Sequence, residues 1–197
     1  MLMLASCGSD DEAGVPNMLT ELCDVYIDGN GKAVTATLDD GTVLDISAQQ
    51  IGAEAADTTL RSVITYAMNG GVARVYSNSA VFCDEALPIE SFTIAPRDPV
   101  KLVSIWQAGK YVNMVIGEMT TGSAPHPYGF CIDGLAGNKL YVSLLHQQPS
   151  GDAESYTRRV YASLRLSNSY VTGYDSVVVS VNTYDGVLTY SFSRGSN

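Results

Sequence analysis

Charge is scarce in this chain of 197 residues: 16% are Asp, Glu, Lys or Arg, and 11 basic residues face 21 acidic ones. Nucleic-acid binding draws its affinity from Lys and Arg clustered against phosphates, so a formal net charge of -10 without a basic stripe argues against that class. An anionic membrane surface is disfavoured on the same ground. No run of about 20 apolar residues exists, which is what a bilayer-spanning helix requires. There is no Cys-x-x-Cys pair and no Cys/His cluster in the sequence, so no structural zinc site is expected. Histidine is limited to His126 and His146, and tryptophan to Trp106. No Gly-x-Ser-x-Gly elbow accompanies either histidine, so the sequence offers no hydrolase triad. No catalytic residue, metal or cofactor is expected.

What the chain has is strand-forming material. Hydrophobic residues make up 46%, enough for a core, with 18 glycines and 12 tyrosines among them and the turns. The first residues carry an address. Leu4-Ala5-Ser6-Cys7 looks like a bacterial lipobox, in which small side chains fit the peptidase and the cysteine thiol accepts the lipid. Only six residues precede Cys7 and none is basic, whereas a signal peptide needs a basic start and about 7–15 apolar residues. Met1 is therefore expected to be internal to a longer signal. The polar, acidic stretch 8–19, broken by Gly14 and Pro16, reads as a linker, and residues 1–20 together as signal remnant, lipobox and tether. Gly8-Ser9-Asp10-Asp11-Glu12 resembles an acidic signal for display on the outer face of the outer membrane.

Residues 21–95 read as a small OB-like barrel. Short strands are expected over 22–28, 32–38, 42–47, 60–68, 72–76 and 80–83, with a short helix or long loop over 49–58. Asp39-Asp40-Gly41 and Asn69-Gly70-Gly71 supply the hairpin turns. Pro88, Pro96 and Pro99 remove ladder donors, which places a module boundary near Pro96. Residues 96–197 read as an antiparallel β-sandwich of seven strands, the last two joined by Tyr184-Asp185-Gly186. The fold class is all-β.

The candidate site residues come from two long loops, Gly117 to Pro127 and Gln147 to Thr157, with His126, Tyr128, His146 and Tyr156 at or beside them. Both histidines read as loop-positioning or solvated. Glu118, Asp133, Asp152 and Glu154 offer no spacing that singles out a glycosidase pair and read as solvated acidic surface. Asp28-Gly29-Asn30-Gly31 faintly echoes a calcium loop, but Lys32 stands where a ligand should, so it reads as a turn. Trp106 reads as core and Cys131 as a small buried residue, while Cys23 and Cys83 are left as an open disulfide pair.

Several of these segments resemble the NigD-like family of bacterial lipoproteins. In the second half they are Asp98 to Trp106, Tyr128-Gly129-Phe130, Asp175 to Val178 and Asn182 to Gly186. In the first half they are Thr37 to Leu44 and Arg61 to Tyr66. The resemblance spans nearly all the chain after the linker and implies an OB-like module followed by a β-sandwich. It carries no enzyme activity. The resulting expectation is a non-catalytic, lipid-anchored envelope protein that binds an unknown protein or glycan. The alternative is a glycan-binding accessory or carbohydrate-active enzyme of a nutrient-uptake system.

Overall fold

The computed structural model describes residues 17–47, 56–152, 155–167 and 169–194. Cys7, the tether as far as Pro16, and most of the expected helix or loop over 49–58 lie outside the described residues, while Leu19 and Thr20, expected in the linker segment, already belong to the first strand. Among those described, fourteen strands and one 3-10 turn account for the regular structure.

The first module is a five-stranded sheet in the order β3-β2-β1-β4-β5. Its strands are β1 (Leu19–Ile27), β2 (Ala33–Leu38), β3 (Val43–Asp45), β4 (Thr58–Asn69) and β5 (Val72–Ala80). Alternation decides the inside: Cys23, Val25 and Ile27 of β1 are fully buried, while Tyr26 between them is exposed. They meet Ala36, Ile64, Tyr66 and Val75 in one core. The two edges of the sheet touch at a single parallel bridge, Ile46 to Ala73, so the barrel is OB-like but not closed by a continuous ladder.

The second module packs two sheets. One runs β14-β13-β11-β10-β7 and the other β6-β12-β9-β8. Their ranges are β6 (Phe82–Glu85), β7 (Leu87–Pro88), β8 (Lys101–Ala108), β9 (Tyr111–Thr120), β10 (Tyr128–Ala136), β11 (Lys139–His146), β12 (Tyr156–Arg165), β13 (Ser176–Thr183) and β14 (Gly186–Ser193). Two expectations change here. The strand expected over 80–83 is split, Ala80 ending β5 and Phe82 opening β6, and from there through Pro88 the chain does not belong to the first module: β6 pairs with β12 and β7 with β10. The chain therefore crosses over near Val81, well before Pro96. The sandwich is also mixed, because those two pairings and that of β11 with β13 are parallel.

The inward faces follow the pleat. Val112, Met114 and Ile116 of β9, Leu140, Val142 and Leu144 of β11, and Ala162 and Leu164 of β12 line the sandwich core with Phe130. The opposite face of β9 meets the first module. Arg61 on β4 is buried there between the carboxylates of Asp39, 2.6 Å away, and Asp24, 3.4 Å away. It also donates to Asn113 and Ser163, and its guanidinium lies 3.9 Å over the Tyr111 ring. Tyr111 and Lys110 bind Asp24 in turn. The approach is close: a Cβ on Gly109, whose φ is +53°, would stand 2.6 Å from the Asp39 carbonyl oxygen. Trp106, expected in the core, is instead partly exposed and walls a 580 Å³ cleft between the modules.

Candidate functional site: a buried Glu–His–His–Asp cluster

Three inward rows of the sandwich end in charge or imidazole instead of hydrocarbon. Two residues past Ile116 the same face of β9 carries Glu118. Two past Leu144 the same face of β11 carries His146. Two before Val160 the same face of β12 carries Arg158, directly opposite Glu118 in the β9–β12 register. The loop after β9 caps this end of the sandwich and brings in His126. Gly122 within it has φ +78° and leaves room for the Tyr156 hydroxyl, which a Cβ would meet at 2.7 Å.

The cluster is linked throughout, with Glu118, His126, His146 and Asp152 buried and Arg158 reaching in from the surface. Glu118 accepts from Arg158 on one oxygen and from the Tyr128 hydroxyl on the other. His126 Nδ1 lies 2.8 Å from His146 Nε2 and 3.5 Å from Glu118 Oε2. His126 Nε2 lies 2.8 Å from Asp152 Oδ2. His146 Nδ1 reaches the backbone carbonyl of Asp98 at 3.1 Å, and the Tyr128 ring stacks on the His146 ring. Asp98 belongs to the proline-rich seam, which is tied to the end of β11 through backbone bonds between Pro96, Asp98 and His146.

Hydrogen-bond partners orient the rings. The Asp98 carbonyl only accepts, so His146 carries a hydrogen on Nδ1 and turns Nε2 towards His126. His126 Nε2 faces a carboxylate that already accepts from Thr120, Thr121 and Ser123, so a hydrogen on Nε2 is donated there. The environments agree with this assignment. Bonds from Thr120, Thr121 and His126 hold the Asp152 carboxyl well below the usual range. Burial pushes His146 down, towards its neutral form. Burial and the bond to Glu118 push the Tyr128 phenol far up, so it stays a donor.

The sequence-derived expectations divide. His126, Tyr128 and His146 do come together, but the histidines are buried, at 7% and 1% exposure, and not solvated. Glu118 and Asp152 are likewise buried and not acidic surface. The sequence shows no Cys-x-x-Cys or Cys/His motif, yet the fold brings donor atoms of Glu118, His126 and His146 to within 4.8 Å of one another. Tyr156 is exposed over Gly122 and stands outside the cluster. Asp133 pairs with Arg97 at the surface, and Glu154 lies outside the described residues. Cys131 is buried as expected, and Cys23 and Cys83 are both free thiols. Sequence reasoning missed Arg158 and Asp98. The pleat carries the signal for the first, because Arg158 continues the row Val160-Ala162-Leu164.

A cavity of 460 Å³ opens beside the cluster, lined by Glu118, His126, Tyr128 and Arg158 from the second module and by Ser79 and Ala80 of β5 from the first. The larger cleft at Trp106 has an acidic rim of Glu21, Asp39 and Asp40 and none of this cluster's groups. A third cavity, of 110 Å³, reaches Tyr128 and His146 beside Phe92 and Pro96.

No protein-family model matches the chain, and no curated protein matches it. Solved structures do match along most of its length. A NigD-like immunity protein from Bacteroides caccae is 21% identical with a TM-score of 0.69, over 92% of this chain and 100% of that one. A protein described as toxin-related, from Parabacteroides distasonis, is 16% identical with a TM-score of 0.70, over 89% of this chain and 92% of that one. A protein of unknown function, DUF1344, from Bacteroides vulgatus is 15% identical with a TM-score of 0.68, over 92% of each. The chain has the fold of these proteins, and the NigD-like resemblance read from its turns and strands is met at the level of fold.

Proposed function

We propose that this chain is a lipid-anchored protein of the bacterial outer membrane, held through Cys7 and displayed at the surface, that acts by binding a partner and not by catalysis. The observation that carries the non-catalytic reading is the saturation of the cluster. Every buried side-chain nitrogen and oxygen among the described residues has a hydrogen-bond partner, and the histidines' bonds run to each other, to Asp152 and to the Asp98 carbonyl, with no serine or cysteine nucleophile among them. Glu118 and Asp152 are also poorly placed as a glycosidase pair. They stand on either side of the His126 ring, which fills the space where a sugar ring and a water would have to stand.

A protein partner is favoured over a glycan by the far edge of the sandwich. There β14 exposes Val187, Leu188 and Tyr190 on a strand whose outer side is unpaired among the described strands. Immunity is the role named for the Bacteroides caccae protein, and binding a partner is one way to serve such a role. The anchor reading rests on Leu4-Ala5-Ser6-Cys7 and the acidic tether behind it.

Metabolic labelling with a clickable fatty acid, followed by protease shaving of intact cells, tests address and display together. Label on the wild type, none on Cys7→Ala, and loss of the protein on shaving are expected. Label that persists in Cys7→Ala removes the anchor from that cysteine. A glycan array probed with the chain from Thr20 onward tests the rival, and is expected to stay blank.

A further inference from the structure

We propose that Glu118, His126 and His146 form a binding site for a divalent first-row transition metal ion, zinc being the ion their donor set suits best. The inference rests on the geometry of the cluster and needs no assumption about the anchor or the partner.

Four independent features point the same way. The first is economy: the chain has two histidines, and both are buried with ring nitrogens 2.8 Å apart. The second is spacing. Zinc binds imidazole nitrogen and carboxylate oxygen at about 2.0–2.2 Å, which separates tetrahedral donors by roughly 3.3 Å. The observed separations of 2.8 Å between the histidines and 3.5 Å between His126 and Glu118 bracket that value. No pair of donors exceeds 4.8 Å, so small side-chain rotations close the set.

The third feature is orientation from behind. A metal-bound histidine commonly donates its other nitrogen to a carboxylate or a backbone carbonyl, which fixes the tautomer and aims the lone pair. Here His126 Nε2 faces Asp152, and His146 Nδ1 faces the Asp98 carbonyl. Both rings are held from their far side, so His126 Nδ1 and His146 Nε2 face each other 2.8 Å apart, and an ion enters by turning both away from that bond towards Glu118. The rear support is rigid, because Asp152 is itself gripped by Thr120 and Thr121.

The fourth feature is access. Glu118 and His126 line the 460 Å³ cavity, which supplies a route for the ion and room for a water as fourth ligand. The exchange is balanced in charge and protons. The hydrogen now between the two imidazoles leaves to solvent as the ion takes its place, and the Tyr128 hydroxyl gives up its hold on Glu118 Oε2. Arg158 keeps the other oxygen. Bound in this way, the ion staples the loop carrying His126 to β9 and β11 and sets the shape of the cavity mouth.

The test uses the full chain, stripped with a chelator and titrated calorimetrically with zinc in excess magnesium and calcium. One zinc per chain is expected. The double variant His126→Gln/His146→Gln is expected to bind on the order of 100-fold more weakly, and Glu118→Gln at least about 10-fold more weakly. Cobalt(II) added to the stripped wild type reads the site without any variant, so a misfolded mutant leaves the proposal testable. Visible bands of four-coordinate cobalt that collapse on adding equimolar zinc support the site. A thiolate-to-cobalt charge-transfer band would move the ion to a cysteine and overturn the proposal. Equal zinc affinity in wild type and double variant, or no measurable zinc binding by the wild type, overturns it too.

Discussion

Two buried networks in this molecule solve the same problem by different means. At the joint between modules, Asp24 and Asp39 are neutralised by Arg61, a guanidinium that never loses its charge. Burial opposes that charge, but the bonds to Asp39 and the field of Asp24 outweigh it. At the closed end of the sandwich, Glu118 and Asp152 flank His126, whose ring nitrogens share hydrogens with His146 and Asp152. The guanidinium forks to partners from both modules at once and makes a fixed joint. The imidazole pair makes a site whose occupant, a proton or an ion, is exchangeable.

The joint is the place to break first. Arg61→Met removes the cation and leaves two nearly buried carboxylates facing each other, a change that costs about 3–5 kcal/mol when one partner of a buried pair is deleted. Urea denaturation should show that loss, and Arg61→Lys should recover only part of it, since one ammonium cannot reach Asp39, Asn113 and Ser163 together. A loss below about 1 kcal/mol would mean the joint behaves like a surface ion pair. The counterpart in the cluster is milder. Tyr128→Phe removes one donor to Glu118 while Arg158 keeps the other oxygen, and hydrogen bonds to charged groups are worth about 1.5–3 kcal/mol. The same variant should not weaken zinc binding, because Tyr128 competes with the ion for Glu118.

The difference between the networks also explains what the sequence could disclose. The last hairpin was legible: β13 follows from its buried row Val177, Val179 and Val181, and β14 from the turn Tyr184-Asp185-Gly186, although nearly all of its residues are exposed. The pairings of the short pieces β6 and β7 were not, because their hydrogen bonds run in parallel to β12 and β10, tens of residues away, and strands of four and two residues have little or no period to read. The cluster lies between these cases. A hairpin turning at Gly137 and Asn138 brings Tyr128 opposite His146, and so returns His126 to the same neighbourhood. The inward rows that end in Glu118, Arg158 and His146 were visible as alternation but stop reading as core once a polar residue appears. What no local pattern discloses is Asp98 and Asp152, which enter from loops and whose roles exist only through the histidines they support.

The smallest expected effect is a slope with pH, and it separates the two networks most cleanly. His146 is lowered in the fold from the ordinary histidine value of 6.5, first by burial and further by His126 beside it. A group lowered on folding contributes stability that is fully present above its unfolded value and is lost as pH falls towards its folded one. The metal-free protein should therefore weaken as pH drops below 6.5, when a protonated His146 no longer accepts from His126 and its charge is buried beside Glu118 and Tyr128. Asp152, lowered from 3.8, adds a second loss at more acid pH. Arg61 adds nothing to the first window, because its charge is constant across it. Chelator-treated wild type and His146→Gln, unfolded in urea from about pH 7.5 to about pH 5, read this directly. The wild-type curve should fall through that range and the variant's should flatten. Parallel curves would mean that His146 does not carry the slope, and that the cluster is as indifferent to protons as the joint.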